Sequence, residues 1–260
     1  MNGPLIVLKF GGTALGSSRR IRAAARRLIA WRSRGFGVVA VASATGHTTD
    51  RISRRLAAVG ADPTLVPGPE TDRALATGEL LSTALLAAAL QGFGAPARSL
   101  SGRAAGLLAN GPWGAAVLED LTPQPLEHLL GAGVIPVVAG FQAGTRSGEL
   151  ITLGRGASDL SAVFLAARLA AAECHIITDV AGVFDRDPRR EPGAVRLARL
   201  TPATLSSLAE SGAQVVHRRA AQLALAEQVS LRVYRWDASL GGEPGSLVVS
   251  DRGLCRAAAL

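Results

Sequence analysis

The sequence is poor in aromatic residues, cysteine and long apolar runs. Aromatic residues make up 4% of the 260 residues, which argues against a protein that binds nucleic acid by stacking rings on bases. The two cysteines, Cys174 and Cys255, and the four scattered histidines lack metal-ligand spacing and predict neither a disulfide framework nor a metal site. No apolar run reaches membrane-spanning length, and a strand is predicted too near the N-terminus to leave room for a signal peptide. We expect a soluble, cytoplasmic protein without nucleic-acid or membrane partners.

Lysine is almost absent, although the chain is basic. The formal net charge is +8, and Lys9 is the single lysine among the 28 basic residues. The arginines occur singly or in pairs rather than in long runs, which is typical of a solvated surface that also favours anionic substrates. A lysine is a compact point charge and an arginine a planar fork. The one lysine in an arginine-rich chain is therefore a candidate functional residue.

Short apolar runs alternate with stretches of helical periodicity, as in an α/β domain with a largely parallel sheet. The chain is 48% hydrophobic, enough for one domain or for two lobes that share one sheet. Residues 141–153, rich in Gly and Thr, predict a hairpin. The predicted helices are 17–34, 49–59, 71–90, 123–130, 157–172 and 213–228, and the predicted strands are 4–10, 37–42, 96–100, 115–118, 134–140, 174–178, 231–235 and 246–249.

The first segment with chemical character is a strand end followed by two glycines. Lys9 stands next to last in the first predicted strand, and Gly11 and Gly12 follow that strand directly. Glycines at this point let the backbone approach an anion and donate N–H groups to phosphate oxygens. A lysine beside them can neutralise charge on a transferring phosphoryl group. The segment alone also fits a plain tight turn, and the absence of a GxxxxGK[ST] motif argues against a P-loop nucleotide site.

The second segment opens a predicted helix. Arg155 stands between two glycines, and Ser158 and Asp159 lie in the first turn of the helix that follows. Free N–H groups at a helix N-terminus suit an anion, and an arginine can hold a carboxylate through two parallel hydrogen bonds. Asp159 either caps the helix or orients a lysine beside the phosphates.

The third segment follows a buried strand that ends at Thr178 and Asp179. A glycine turn then leads through Phe184 into an Asp-Pro loop. Ligands of open α/β sheets bind where strands end, so this segment is either the edge of a nucleotide site or a surface turn.

In this order the segments resemble the motifs of the amino acid kinase family, most closely those of the catalytic domain of aspartokinases. The resemblance runs from about Leu5 to Ser250, nearly the whole chain. The matching segments are KFGGTALG (9–16), SATGHTTD (43–50), GELLST (78–83), GF (140–141), TLGRGASD (152–159), TDVAGVFDRDPR (178–189), GAQVVH (212–217) and GSLV (245–248).

The resemblance implies an α/β fold, namely a three-layer αβα sandwich of the amino-acid-kinase (carbamate-kinase-like) type with a largely parallel central sheet. It implies a single domain over residues 1–260, with an acceptor lobe at about 1–150 and a nucleotide lobe at about 151–260. Aspartokinases usually append regulatory ACT domains, and we expect none within this chain. A homodimer is also implied.

For function, the resemblance implies an ATP-dependent phosphotransferase with a carboxyl group as acceptor, an enzyme of amino-acid biosynthesis. Aspartate would attack the γ-phosphorus directly through its side-chain carboxylate, which is already ionised and needs no general base. Mg²⁺ would accompany ATP, held mainly by phosphate oxygens. By resemblance, the catalytic residues are Lys9 and Asp159, the acceptor-binding residues are Thr48, Glu79, Phe141, Arg155 and Ser158, and the nucleotide-binding residues are Lys9, Gly11, Gly12, Thr178, Asp179, Phe184 and Gln214.

Two departures from the family pattern affect the nucleotide side. The family lysine expected at the ATP phosphates is Gln214 here, and the second Asp of the TDVDGV motif is Ala181. Losing a cation there would reduce turnover by roughly 10²–10³, unless Arg218 or Arg219 replaces it. Three interpretations stay open: an aspartate kinase, a kinase of the same fold that acts on another small carboxylic or amino acid in specialised metabolism, and a non-catalytic nucleotide- or oxyanion-binding homologue.

Overall fold

A central, mostly parallel sheet organises the protein, whose computed structural model describes residues 3–188, 191–211, 215–239 and 245–250. Strand β1 (Leu5–Phe10) lies inside this sheet, and five of its six residues are buried, as expected for a strand covered on both faces. The other strands are β2 (Gly37–Ala42), β3 (Ala97–Leu100), β4 (Leu107–Asn110), β5 (Val117–Leu121), β6 (Ile135–Ala139), β7 (Gln142–Gly144), β8 (Leu150–Thr152), β9 (Glu173–Thr178), β10 (Arg199–Leu200), β11 (Leu231–Arg235) and β12 (Ser246–Val248).

Eight of these strands form the central sheet, in the order β10-β12-β11-β9-β1-β2-β6-β3. Neighbouring strands are parallel except for the antiparallel pair of β11 and β12. The other four strands form a smaller sheet in the order β5-β4-β7-β8, in which β7 and β8 make the hairpin predicted from the sequence.

Helices cover both faces of the central sheet. Every helix except the second contributes buried residues to one of two apolar clusters, one on each face. The helices are α1 (Ser18–Ser33), α2 (Thr48–Ala58), α3 (Pro69–Gly92), α4 (Gln124–Gly131), α5 (Ser158–Arg168), α6 (Pro202–Glu210) and α7 (Arg218–Ala226). The layered, largely parallel α/β architecture predicted from the sequence is confirmed.

Successive side chains of β1 point to opposite faces of the sheet and pack in two separate apolar clusters. Ile6, Leu8 and Phe10 pack with α1 and α3 on one face. Val7 packs with α5 and α7 on the other face. Lys9 has the same parity as Val7, so the geometry of the strand directs its side chain to the face that carries α5.

Several short elements differ from the sequence-based prediction. Strands β4 and β10 and helix α6 were not expected. Helix α6 has a weak apolar pattern, yet it begins with two recognised signals: Thr201, whose side chain accepts a hydrogen bond from the Thr204 N–H, and Pro202 in the first turn.

Two predicted helices also have different bounds. Helix α5 ends at Arg168 rather than at residue 172, because Ala170 adopts a left-handed conformation with φ 50°. Helix α7 starts at Arg218, since His217 is extended with ψ 134°. The first two residues of the predicted 213–228 helix lie outside the described residues.

Helix α3 has the length and composition of a membrane span, so the prediction that no apolar run reaches this length is wrong. Half of its most apolar window is buried within the protein. A core helix of a globular protein passes the same test, so α3 is weak evidence for a membrane.

A buried polar network lies at the amino-terminal end of β9. His175 contacts the Tyr234 hydroxyl through Nδ1 and Glu173 Oε2 through Nε2, both at 3.0 Å. Arg232 donates two hydrogen bonds of 3.2 Å to the Glu173 carboxylate. Burial alone would raise the pKa of Glu173, but the hydrogen bonds from His175 and Arg232 outweigh it and lower the pKa to about 2.

We predict that Glu173→Gln destabilises the protein at pH 7 by roughly 2–3 kcal/mol, because a lowered carboxyl pKa contributes stability above its unfolded-state value. This contribution is lost as the pH falls through the folded-state value, so parent and variant should converge between about pH 4.5 and pH 2. Urea unfolding across this range measures the difference. The exposed Glu149→Gln variant serves as the control, and a difference for Glu173→Gln that is no larger than that of the control contradicts the assignment.

Candidate functional site

Lys9 and Asp159 form a buried ion pair on the α5 face of the central sheet. Lys9 Nζ lies 2.6 Å from Asp159 Oδ1, and both residues are more than nine-tenths buried. The second carboxylate oxygen of Asp159 accepts a 3.0 Å hydrogen bond from the His217 N–H. Of the two roles that the sequence left open for Asp159, the structure therefore shows contact with the lysine rather than a cap on α5.

The two glycines after β1 allow close packing around this pair. The Gly11 N–H donates to the Ile177 carbonyl at 2.9 Å, so this group is already bonded within the protein. A Cβ on Gly11 would lie 3.5 Å from Lys9 Nζ, and one on Gly12 would lie 2.6 Å from the Ala44 carbonyl oxygen. Gly11 thus leaves space beside the ammonium, and Gly12 lets the backbone approach Ala44. The role of both glycines at phosphates stays a prediction.

Glu79 lies buried on α3 with one oxygen unpaired. A Cβ on Gly78 would approach the Ala44 Cβ to 2.9 Å, so glycine lets the helix come close to the 43–50 segment. Glu79 Oε1 accepts a 3.0 Å hydrogen bond from the Ala44 N–H, whereas Oε2 is buried without a hydrogen-bond partner. Burial raises the pKa of Glu79 to about 7, against the opposing effects of the Ala44 N–H and the Lys9 charge.

Lys9 and Arg155 open onto the same cavity, which has a volume of about 620 Å³. The lysine at the end of β1 and the arginine before α5 therefore face one space. The remaining lining residues come from the β2 end, the α5 entrance and the C-terminal part of the chain: Ser43, Gly156, Ser158, Asp159, Ala209, Glu210, Val215, His217 and Arg218.

Arg155 also lines a second, smaller cavity of about 330 Å³. Phe141 lies on its wall and is buried with a left-handed φ of 68°. The Arg155 side chain is 72% exposed, and its Nη1 lies 3.2 Å from Asp50 Oδ1. Thr48 lines neither cavity; its hydroxyl bonds to the Thr45 carbonyl at 2.7 Å.

The residues predicted for the nucleotide lie along the neighbouring strand end. Thr178 is the last residue of β9, next to Ile177, which pairs with Phe10 at the end of β1. Its hydroxyl donates to Asp179 at 3.1 Å. Phe184 forms an isolated bridge with Arg196. Thr178, Asp179 and Phe184 line neither of the two cavities, and Gln214 lies outside the described residues.

Three residues that shape the site were not predicted from the sequence. His217, treated there as an ordinary polar position, lines the large cavity and holds Asp159; burial lowers the pKa of its imidazole. Asp72 is 1% exposed and accepts N–H groups from Thr152 at 2.6 Å and Gly114 at 3.2 Å, which fixes the hairpin to α3. Glu210 also lines the large cavity. Of these three residues, only Asp72 had a signal in the sequence: it is an acid on the apolar side of the predicted helix.

Comparison with known proteins identifies the family of the chain. A model described as "Amino acid kinase family" matches residues 4–234. Aspartokinase of Corynebacterium glutamicum is 41% identical over 248 residues, which are 95% of this chain and 58% of that protein. Aspartokinase 2 of Bacillus subtilis is 42% identical over 247 residues, 95% of this chain and 59% of that protein. The crystal structure of aspartate kinase from Synechocystis matches with a TM-score of 0.80 at 38% identity, covering 95% of this chain and 40% of that one. The chain thus spans little more than half the length of the curated relatives it matches.

We predict that Glu79→Gln stabilises the protein above neutral pH. A carboxyl with a raised pKa binds its proton more tightly when folded, so ionisation weakens the fold between about pH 4.5 and pH 7. The variant lacks this loss, and its advantage should grow over that interval to roughly 2–3 kcal/mol. Denaturant unfolding at several pH values, beside Glu149→Gln, measures it; a variant with the same pH dependence as the parent would show that Glu79 is not the titrating group.

Proposed function

The chain belongs to the amino acid kinase family, and from that premise we propose that it transfers the γ-phosphoryl group of ATP to the side-chain carboxylate of aspartate. The observation that carries the proposal is the cavity shared by Lys9, which is held by Asp159, and Arg155. Relatives about 41% identical over nearly the whole chain are named aspartokinase, and they support aspartate as the acceptor.

Lys9 is proposed to stabilise charge on the transferring phosphoryl group. The 2.6 Å contact with Asp159 fixes the ammonium before substrate binds, and the His217 N–H fixes Asp159 in turn. A preorganised cation in a site that excludes water stabilises developing charge without reorganising during the reaction. Catalysis of this kind consists of positioning and charge stabilisation.

Arg155 and Glu79 are proposed to hold the two charged groups at the α-carbon of the acceptor. The exposed pair of Arg155 with Asp50 is of a kind that contributes little stability, so a substrate carboxylate can displace Asp50. The unpartnered Oε2 of Glu79 would accept a hydrogen bond from the α-ammonium. An N-acylated acid offers no such ammonium. Thr48, Phe141 and Ser158 are proposed to complete the acceptor pocket.

The nucleotide is proposed to lie at the ends of β1 and β9. Gly11 and Gly12 would border the phosphates, and Thr178, Asp179 and Phe184 the adenine nucleotide, with Gln214 assigned there by resemblance alone. ATP would enter as its Mg²⁺ complex, with the ion held mainly by phosphate oxygens and water. On this view residues 1–150 and 151–260 supply the acceptor and nucleotide lobes, although Arg155 and Ser158 reach the acceptor from the second.

The proposed reaction is a direct in-line transfer. A side-chain carboxylate oxygen of aspartate forms a bond to the γ-phosphorus while the bond from that phosphorus to the bridging oxygen breaks, which releases ADP and leaves an acyl phosphate. No proton has to move, since the attacking carboxylate is ionised at neutral pH. A cytoplasmic homodimer remains the expectation for the assembled protein.

Hydroxylamine trapping tests the acceptor. An acyl phosphate reacts with hydroxylamine to give a hydroxamate, so the protein incubated with ATP, Mg²⁺ and hydroxylamine should form aspartate hydroxamate. Parallel reactions contain glutamate, N-acetylaspartate and other small acids, which should give little or none. Product from a different acid only would make the chain a kinase of that acid, and ATP binding without any product would make it a non-catalytic homologue.

Lys9→Arg should lower turnover by roughly 10²–10³ while leaving the protein folded. A guanidinium keeps the charge, but its planar fork is broader than the compact ammonium, which lies 2.6 Å from Asp159 and beside Gly11. Steady-state rates with ATP and aspartate, checked against thermal unfolding of the same samples, measure the effect. A folded Lys9→Arg protein with parental turnover would remove Lys9 from the mechanism.

A further inference from the structure

Three cationic side chains of the described part of the chain line the large cavity: Lys9, Arg155 and Arg218. Lys9 is paired with Asp159 at 2.6 Å, and Arg155 with Asp50 at 3.2 Å. The Arg218 side chain is exposed and makes no hydrogen bond or ion pair with another described residue. Among the described cationic residues that line the cavity, Arg218 therefore has the guanidinium that is available to bind an anion.

Without Arg218, the cavity would offer a triphosphate little uncompensated positive charge, because the acids Asp159 and Glu210 also line it. The charge of Lys9 is offset by Asp159, and Arg155 is proposed to bind the carboxylate of the acceptor. Burial lowers the pKa of His217, which favours the neutral form of its imidazole. Phosphoryl transfer needs fixed positive charge near the phosphate oxygens, and Arg218 is the side chain that meets this need.

The position of Arg218 is tied to the buried ion pair. Arg218 is the first residue of α7 and follows His217, whose N–H bonds to Asp159 Oδ2 at 3.0 Å. Asp159 in turn contacts Lys9. This chain of contacts places the start of α7 on the wall of the cavity that the Lys9–Asp159 pair also borders.

The neighbouring arginine does not compete for this role. Arg219 donates to the Leu153 carbonyl at 2.8 Å and to the Ala116 carbonyl at 3.1 Å. Its guanidinium thus links α7 to the smaller sheet and is absent from the lining of the cavity. The sequence left Arg218 and Arg219 as equal candidates for a second phosphate-binding cation, and their contacts separate them.

We propose that Arg218 is a further phosphate-binding residue, which holds oxygens of the terminal phosphoryl groups of the nucleoside triphosphate. The planar guanidinium suits two parallel hydrogen bonds to phosphate oxygens. The inference rests on the proposed function in that its ligand is ATP. It does not depend on which acid accepts the phosphoryl group.

Binding of ATP, ADP and AMP to four proteins tests the proposal by calorimetry in the presence of Mg²⁺. The proteins are the parent, Arg218→Gln, Arg218→Lys and, as a charge-matched control, the exposed Arg199→Gln on β10. Arg218→Gln should lower the affinity for ATP by roughly 10- to 100-fold. The affinity for ADP should fall less, and the affinity for AMP should not change. Arg218→Lys should recover part of the ATP affinity, and Arg199→Gln should match the parent.

Two results would overturn the assignment. Arg218→Gln binding ATP as the parent does would exclude a phosphate contact, and an equal loss for AMP and ATP would indicate a structural role. If the parent binds ATP but phosphorylates no acid, the proposed activity fails while these comparisons still decide the role of Arg218. If the parent binds no nucleotide, both proposals fail. If the enzyme is active, Arg218→Gln should raise the KM for ATP and leave the KM for aspartate unchanged.

Discussion

The buried contact between Lys9 and Asp159 is the interaction on which the rest of the site depends. Removing an ammonium and a carboxylate from water has a large desolvation penalty, which only close geometry and further hydrogen bonds offset. The 2.6 Å separation and the His217 N–H provide both. The pair joins the end of β1, the start of α5 and the start of α7, three segments far apart in the sequence. Any change that moves one of them leaves a buried charge without its partner.

Close backbone approach is the second condition for this arrangement. Gly78 lets α3 reach the 43–50 segment, and its neighbour Glu79 thereby bonds to the Ala44 N–H. A Cβ on Gly140 would lie 2.7 Å from the Cβ of Ser158, and Phe141 follows it directly. At both places a glycine avoids the clash that a Cβ would make, and the next residue in the chain is one assigned to the acceptor pocket. The glycines fix the geometry, while their neighbours make the contacts.

The charged groups assigned to the proposed site differ in the degree to which the protein satisfies them. Lys9 and Asp159 are matched before any ligand arrives, whereas Glu79 retains an unpartnered oxygen and Arg155 has only an exposed partner. A preformed pair lowers the reorganisation needed during transfer, and incompletely satisfied groups favour a ligand that brings the missing charges. A small molecule with a carboxylate and an ammonium on one carbon has this pattern, which is the physical basis for preferring an amino acid as the acceptor.

The sequence by itself determined the local elements and the candidates. Apolar runs such as residues 37–42 predicted strands with the observed bounds, the motif order indicated the family, and the lone lysine drew attention to Lys9. The tertiary structure decided which of these residues meet. It paired Asp159 with Lys9, bonded the Gly11 N–H to Ile177 and directed Arg219 away from the cavity that Arg218 lines. Local patterns report propensity and burial, which depend on neighbours in the chain. Contacts between residues 150 positions apart depend on strand order and helix placement, which no local pattern contains.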